Sequence, residues 1–130
     1  MTMDFRLEVV VVPVSDVDRA KAFYADRAGF NVDHDHTGSP GMRVVQLTPS
    51  GSACSIVIGT GLPAMEPGSL KGLQLVVTDI EAARTELAGR GVEVSEVEWL
   101  GPEDRPESRF AFFYFNDPDG NGWTVQEIPA

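Results

Sequence analysis

A strand, a helix opened by an aspartate and a set of further strands occur twice in this chain, and that internal repeat restricts the fold more than any other feature. In the first copy, Leu7 to Val14 is a nearly unbroken β-branched run, which reads as a central strand covered on both faces. Ser15-Asp16-Val17-Asp18 then reads as a capped helix start, and Val17, Ala20, Phe23, Tyr24 and Ala28 fall at helical spacing until Gly29 ends the run. Phe30 to His36, Met42 to Thr48 and Ala53 to Ile58 follow as strands between Gly, Ser and Pro breaks. The second copy has the strand Leu73 to Val77, the cap Thr78-Asp79-Ile80-Glu81 and a helix stripe of Ile80, Ala83 and Leu87 that Gly91 closes. Asp16 matches Asp79 at an offset of 63, and Gly29-Phe30-Asn31-Val32 matches Gly91-Val92-Glu93-Val94 with one residue deleted. Pro49-Ser50-Gly51 matches Pro118-Asp119-Gly120 at an offset of 69. The fold class expected is α+β, built from two βαβββ repeats. Repeat one spans about residues 5–59, a Gly- and Pro-rich linker about 60–71 and repeat two about 72–128, all within one domain because neither half alone can cover its strand faces.

Composition narrows the partners. The 130 residues, 42% apolar and 23% charged, suffice for one core without staples. Twenty acidic against ten basic residues give a net charge of -10, which repels phosphate backbones and anionic headgroups, so neither nucleic acid nor membrane is an expected partner. The start, Met1-Thr2-Met3-Asp4-Phe5-Arg6, lacks a basic segment leading into an apolar one, and no apolar run reaches the roughly 18 residues of a bilayer span, so the expected location is cytoplasmic. Cys54, the single cysteine, excludes an intrachain disulfide and is expected as a small buried hydrophobe in a strand.

Val12-Pro13-Val14-Ser15-Asp16-Val17-Asp18-Arg19-Ala20, with Ala22-Phe23-Tyr24 and Ala28-Gly29-Phe30 after it, resembles the opening signature of the vicinal oxygen chelate superfamily, which includes glyoxalase I, bleomycin resistance proteins and extradiol dioxygenases. Asn116-Asp117-Pro118-Asp119-Gly120-Asn121-Gly122-Trp123 resembles its closing one, so the resemblance covers residues from about 5 to 128. It implies an incomplete barrel around one ligand cup with helices outside and, as in many members, a homodimer. In the metal-dependent members, His and Glu side chains on the barrel strands hold a divalent metal that acts as a Lewis acid on an enediolate or catechol.

Carried over by position, those metal-ligand sites fall on Val9, its repeat mate Gly72, Thr124 and, through the offset of 69, Ser55. Val and Gly donate nothing and a neutral hydroxyl donates weakly, so the resemblance implies no metal and no other cofactor here. A divalent metal is the alternative, and it needs a one-residue slip that brings up Glu8 and Glu127 while turning every side chain of the strand to the other face. Without the slip, Leu7, Val9, Val11, Ser55 and Val57 from repeat one and Gln74, Thr124 and Gln126 from repeat two point into the cup. Such a lining suits an organic ligand held by burial and a few oriented polar contacts.

Three further features bear on the site. His34 and His36 in Asp33-His34-Asp35-His36 would share one face of a strand; a solvent-facing strand end is the reading preferred, with acid or base work open to either if the strand bends toward the cup. Phe110, Phe112, Phe113, Tyr114, Phe115 and Trp123 occupy both faces of the last two strands, so about half are core and the rest, with Trp99, can form a stacking wall. The loop from Leu100 to Ser108 reads as a lid or as a solvated connection, and Asp117-Pro118-Asp119-Gly120-Asn121 as a hairpin turn with positive φ at Gly120.

The function expected is metal-independent binding of an apolar or aromatic small molecule, of the sequestering or resistance kind, by Val9, Val11, Ser55, Gln74, Tyr114, Thr124 and Gln126. An alternative is a lyase, isomerase or cyclase, with Glu8, Tyr114, Glu127 or a histidine as acid or base. A third is a dimeric interaction module whose cup is closed.

Overall fold

In the computed structural model, repeat one runs β1 (Val9–Val11), α1 (Val17–Ala22), a π-helical turn (Phe23–Arg27), β2 (Asn31–Thr37), β3 (Arg43–Thr48) and β4 (Ser55–Thr60). Repeat two runs β5 (Leu73–Val77), α2 (Ile80–Gly89), β6 (Glu98–Leu100), β7 (Phe110–Asn116) and β8 (Gly122–Glu127). Residues 3–62, 65–105 and 109–128 are described; part of the loop read as a possible lid, 106–108, lies outside them. Each repeat makes its own four-stranded sheet, ordered β1-β4-β3-β2 and β5-β8-β7-β6, with the first strand parallel to the last and the others antiparallel. The fold is α+β with two open sheets, in keeping with two βαβββ units.

The helix starts form where the local chemistry puts them. Asp16 accepts a hydrogen bond from the Arg19 backbone N–H and Asp79 one from that of Ala82, both at 3.0 Å, satisfying donors that a helix start otherwise leaves free. The extra residue of repeat one, seen in the sequence as a deletion in repeat two, is the π turn: the Ala28 N–H reaches back to the Phe23 carbonyl and that of Phe30 to the Tyr24 carbonyl before Gly29 turns the chain at φ 79°. Helix α2 has no such insertion.

Two expectations are corrected. β1 is an edge strand, bonded to β4 alone, rather than a central one; its run is apolar because Val12 just beyond it enters the core while Val9 and Val11 stay half-buried. Leu7 precedes the strand and is 71% exposed. Cys54 sits half-buried just before β4, not buried within a strand.

One core serves both halves. Val45, Leu47, Ile56 and Ile58 of the first sheet, Phe113, Trp123 and Val125 of the second, and Ala20, Tyr24, Ile80 and Leu87 of the helices belong to a single buried cluster. Polar groups lock the halves together inside it. Tyr24 Oη donates to Asp117 Oδ2 at 2.7 Å and accepts from Trp123 Nε1 at 2.9 Å, while Asn121 Nδ2 donates to the Pro13 carbonyl and to Asp117 Oδ2, each at 2.8 Å. Burial first, and then the Asp117 charge, push the Tyr24 hydroxyl far above the ordinary tyrosine range, so it stays a donor while the chain is folded. Gly120 does take φ 97°, as a hairpin turn requires, but the turn does more than reverse the chain: its flanking residues Asp117 and Asn121 are buried linchpins.

Candidate functional site: two open sheet faces

Strand register decides which side chains face away from the core. Val11 lies opposite Val57, Val57 opposite Gln46 and Gln46 opposite His34, and partners in such a row project to the same side. The next row, Ile58, Val45 and Asp35, projects to the helix side, where the two aliphatics are fully buried. Asp35 there meets Lys21 Nζ at 2.7 Å and Arg43 Nη2 at 2.9 Å, hydrogen bonds that hold its carboxyl far below the usual carboxylate range. The histidine row therefore belongs to the opposite, open face.

A register shift between Val32 and His34 leaves Asp33 without a partner in β3, and its carboxylate accepts a hydrogen bond from Thr48 Oγ1. Thr48 Oγ1 is in turn 2.6 Å from Ser55 Oγ. His36 lies opposite Val44, on the same side as His34. The two histidines are exposed, as a strand end would have them, and they also share a face with Val11 and Ser55.

In the second sheet, Gln74, Thr124 and Tyr114 form one row and Val76, Gln126, Phe112 and Glu98 the next on the same face. Gln74 Nε2 donates to Gln126 Oε1, and the Phe112 and Tyr114 rings meet edge to face, 5.5 Å apart at 67°. Large apolar side chains stand in the open on this face, beside the glutamines: Val76 is 59% exposed, Tyr114 44% and Phe110 41%. Trp99 is not part of the wall. It lies opposite the fully buried Ala111, which places it on the other side, with the Arg109 guanidinium 5.5 Å from its ring centre.

The residues expected in the cup thus fall into two sets. Val9, Val11 and Ser55 share the first sheet's open face; Gln74, Tyr114, Thr124 and Gln126 share the second's, and among the described residues no strand of one sheet is bonded to a strand of the other. Of the acid–base candidates, Tyr114 and the two histidines are on open faces, whereas Glu127 and Glu8 are not. Glu127 lies opposite Val77 and accepts from the Ile80 N–H at 3.1 Å, capping α2. Glu8 precedes β1, exposed, with its carbonyl taken by the Ser55 N–H.

Register also corrects the repeat alignment. Val11 opposite Val57 is the counterpart of Gln74 opposite Thr124, so the offset is 63 on the first strands, as expected, but 67 on the last ones. The mate of Thr124 is Val57, not Ser55. Val9, Val57, Gly72 and Thr124 offer a divalent metal one weak hydroxyl, and among the described residues no three His, Cys, Asp or Glu side chains converge for one.

One opening had no counterpart in the sequence reading. β2 begins at Asn31, but β6 begins only at Glu98, so the strand edge at Asn116 is uncovered and a groove of about 930 Å³ runs between residues 91–95 and 114–120. Val92-Glu93-Val94-Ser95 alternates as a strand would, so no signal in the sequence marks the missing strand.

Residues 6–125 match the model of the Glyoxalase/Bleomycin resistance protein/Dioxygenase superfamily. TnmS3, described as an antibiotic binding protein from Streptomyces sp. CB03234, is 36% identical with all of both chains covered and a TM-score of 0.77. A superfamily member from Sphaerobacter thermophilus is 29% identical, covering 98% of this chain and 100% of its own, with a TM-score of 0.79. YetH of Bacillus subtilis (strain 168) is 28% identical over 124 residues, 94% of this chain and 98% of that one. Paired βαβββ sheets, the opening and closing motifs and a match across nearly the whole chain lead to one assignment: the protein belongs to the glyoxalase/bleomycin resistance protein/dioxygenase superfamily.

Proposed function

We propose that the protein binds an apolar or aromatic small molecule without a metal, as a cytoplasmic sequestering or resistance protein does, and that two copies complete the cup. The observation that carries the reading is the open second sheet, where Phe110, Phe112, Tyr114 and Val76 present apolar surface to solvent. Large exposed apolar faces mark ligand or partner sites. The open faces of the two sheets are not joined within one chain, so a second copy that lays its first sheet over this second sheet encloses a ligand with Val9, Val11 and Ser55 on one side and Gln74, Tyr114, Thr124 and Gln126 on the other. The likeness to an antibiotic binding protein supports the ligand class.

Equilibrium dialysis of metal-free protein against naphthalene-ring probes tests the binding, and light scattering tests the assembly. Saturable binding that added Zn, Ni, Mn or Fe leaves unchanged, a dimeric mass, and a shift to monomer in Val76→Lys are the expected results. Tight stoichiometric metal in elemental analysis would overturn the metal-free reading. A catalytic reading draws on one observation, the placing of His34 and His36 on the open face. Mass spectrometry of recovered probes decides between the two, since a lyase or isomerase returns them altered.

A further inference from the structure

We propose that repeat one holds an acceptor-only station, Ser55 Oγ, which selects ligands presenting a hydroxyl or ammonium donor over those presenting only acceptors. This rests on the ligand-binding reading above and deepens it. The argument is a count of protons along a hydrogen-bonded line. The Asp33 carboxylate can only accept, and Thr48 Oγ1 donates to it. A hydroxyl has one proton, so Thr48 has none left for its contact with Ser55 at 2.6 Å, and Ser55 must be the donor there. The Ser55 proton is thereby committed and only lone pairs remain on its oxygen. Ser55 is 5% exposed and lies opposite Val9 on the open face, so its oxygen is little hydrated and an unmatched acceptor there is costly. A phenol, an alcohol or an ammonium group meets it with a proton; an ether or ketone oxygen meets it with lone pairs against lone pairs. The bulge at Asp33 is the origin of the polarity, since it is what turns that carboxylate toward Thr48.

The test uses two probes of nearly equal shape, 2-naphthol and 2-methoxynaphthalene, in equilibrium dialysis against the full-length protein. Wild type is expected to prefer the naphthol by about tenfold, the worth of one matched against one mismatched hydrogen bond. Ser55→Ala removes the station, and the preference falls below about twofold through loss of naphthol affinity. Thr48→Val also abolishes the preference, by the opposite route: the freed Ser55 proton is offered to the ether, whose binding improves. Thr48→Ser keeps the relay and the preference, which separates the hydroxyl's role from a packing effect. Equal binding of both probes by wild type, or an undiminished preference in Ser55→Ala, overturns the station while leaving the ligand-binding reading in place. Binding of neither probe overturns that reading and the station with it.

Discussion

Repeat one and repeat two use the same scaffold for opposite chemistry. Structurally equivalent positions carry Gln46 and Tyr114, Val44 and Phe112, His36 and Glu98, Thr48 and Asn116. The first sheet's open face is therefore polar and hydrogen-bonded near its outer edge, with Asp33, Thr48 and Ser55 in one line, while the second is aromatic. The helix sides differ too. Tyr24 at the end of the first helical segment reaches across to Asp117, whereas its counterpart on α2, Leu87, is a packing residue. A duplicated unit has kept its backbone and divided the work: one copy carries the Asp33–Thr48–Ser55 line and the histidines, and the other carries the aromatic area beside the Gln74–Gln126 pair.

Breaking the joint between the halves should have the largest effect. Asp117 accepts from Tyr24 Oη, Asn121 Nδ2 and the backbone N–H groups of Asp119 and Asn121, so Asp117→Ala strands several buried donors and is expected to cost about 3–5 kcal/mol in urea unfolding. Pro49, the equivalent position in the first hairpin, has no such role, and Pro49→Ala should stay within about 0.5 kcal/mol. Tyr24→Phe removes one charge-assisted bond and the acceptor for Trp123, for about 1.5–3 kcal/mol. The same contact predicts a pH effect. The folded pKa of Tyr24 is raised, so the folded chain keeps a proton that the unfolded chain releases above about pH 10, and stability falls as pH rises past that point. In Tyr114→Phe, which leaves Tyr24 as the only tyrosine, no tyrosinate absorbance should appear until the chain unfolds.

Sharpening the contrast between the open faces calls for ligand measurements. Tyr114→Ala removes one partner of an aromatic pair and should weaken 2-naphthol binding about three- to tenfold, whereas Gln46→Ala at the equivalent position of the polar sheet should change it by less than about twofold. The smallest effect belongs to the ion cluster on the helix side of β2. Arg43 and Lys21 depress the Asp35 carboxyl, so its contribution is present at neutral pH and is lost as pH falls below about 4, toward the folded value. Thermal melts of Asp35→Asn should lie slightly below wild type at pH 7, and the gap should close on acidification.

What could be read from the sequence was local. Asp16 and Asp79 each contact a backbone N–H three residues on, so the caps and both helices were legible from spacing alone. The unbroken apolar run at β1 reads as a central strand, but it reflects half-buried residues at a sheet edge that lead into the buried Val12. The single deletion after the first helix was visible, but a length difference carries no hydrogen-bond pattern, so the π turn it stands for was not. Matching Pro49-Ser50-Gly51 to Pro118-Asp119-Gly120 aligned two turns rather than the strands they join: six residues separate β3 from β4, five separate β7 from β8, and Ser55 was set against the wrong partner. The direction of His34 hangs on the bulge at Asp33, which depends on pairing with β3 that periodicity does not encode. Asp117 and Asn121 looked like turn residues because their burial comes from Tyr24 and Pro13, about a hundred positions away in the chain.

The buried contacts of Tyr24, Asp117 and Asn121 sit behind the sheets, and none of the three projects from an open face. Inheritance can act on the two sides separately. A lineage that exchanges Gln46, Tyr114 or Gln126 for other side chains acquires a new ligand without weakening what joins the halves, whereas a lineage that alters the joint loses the chassis whatever its lining. Descendants of such a chain should diverge fastest where they meet small molecules, and a library restricted to the open faces should return folded proteins at a high rate.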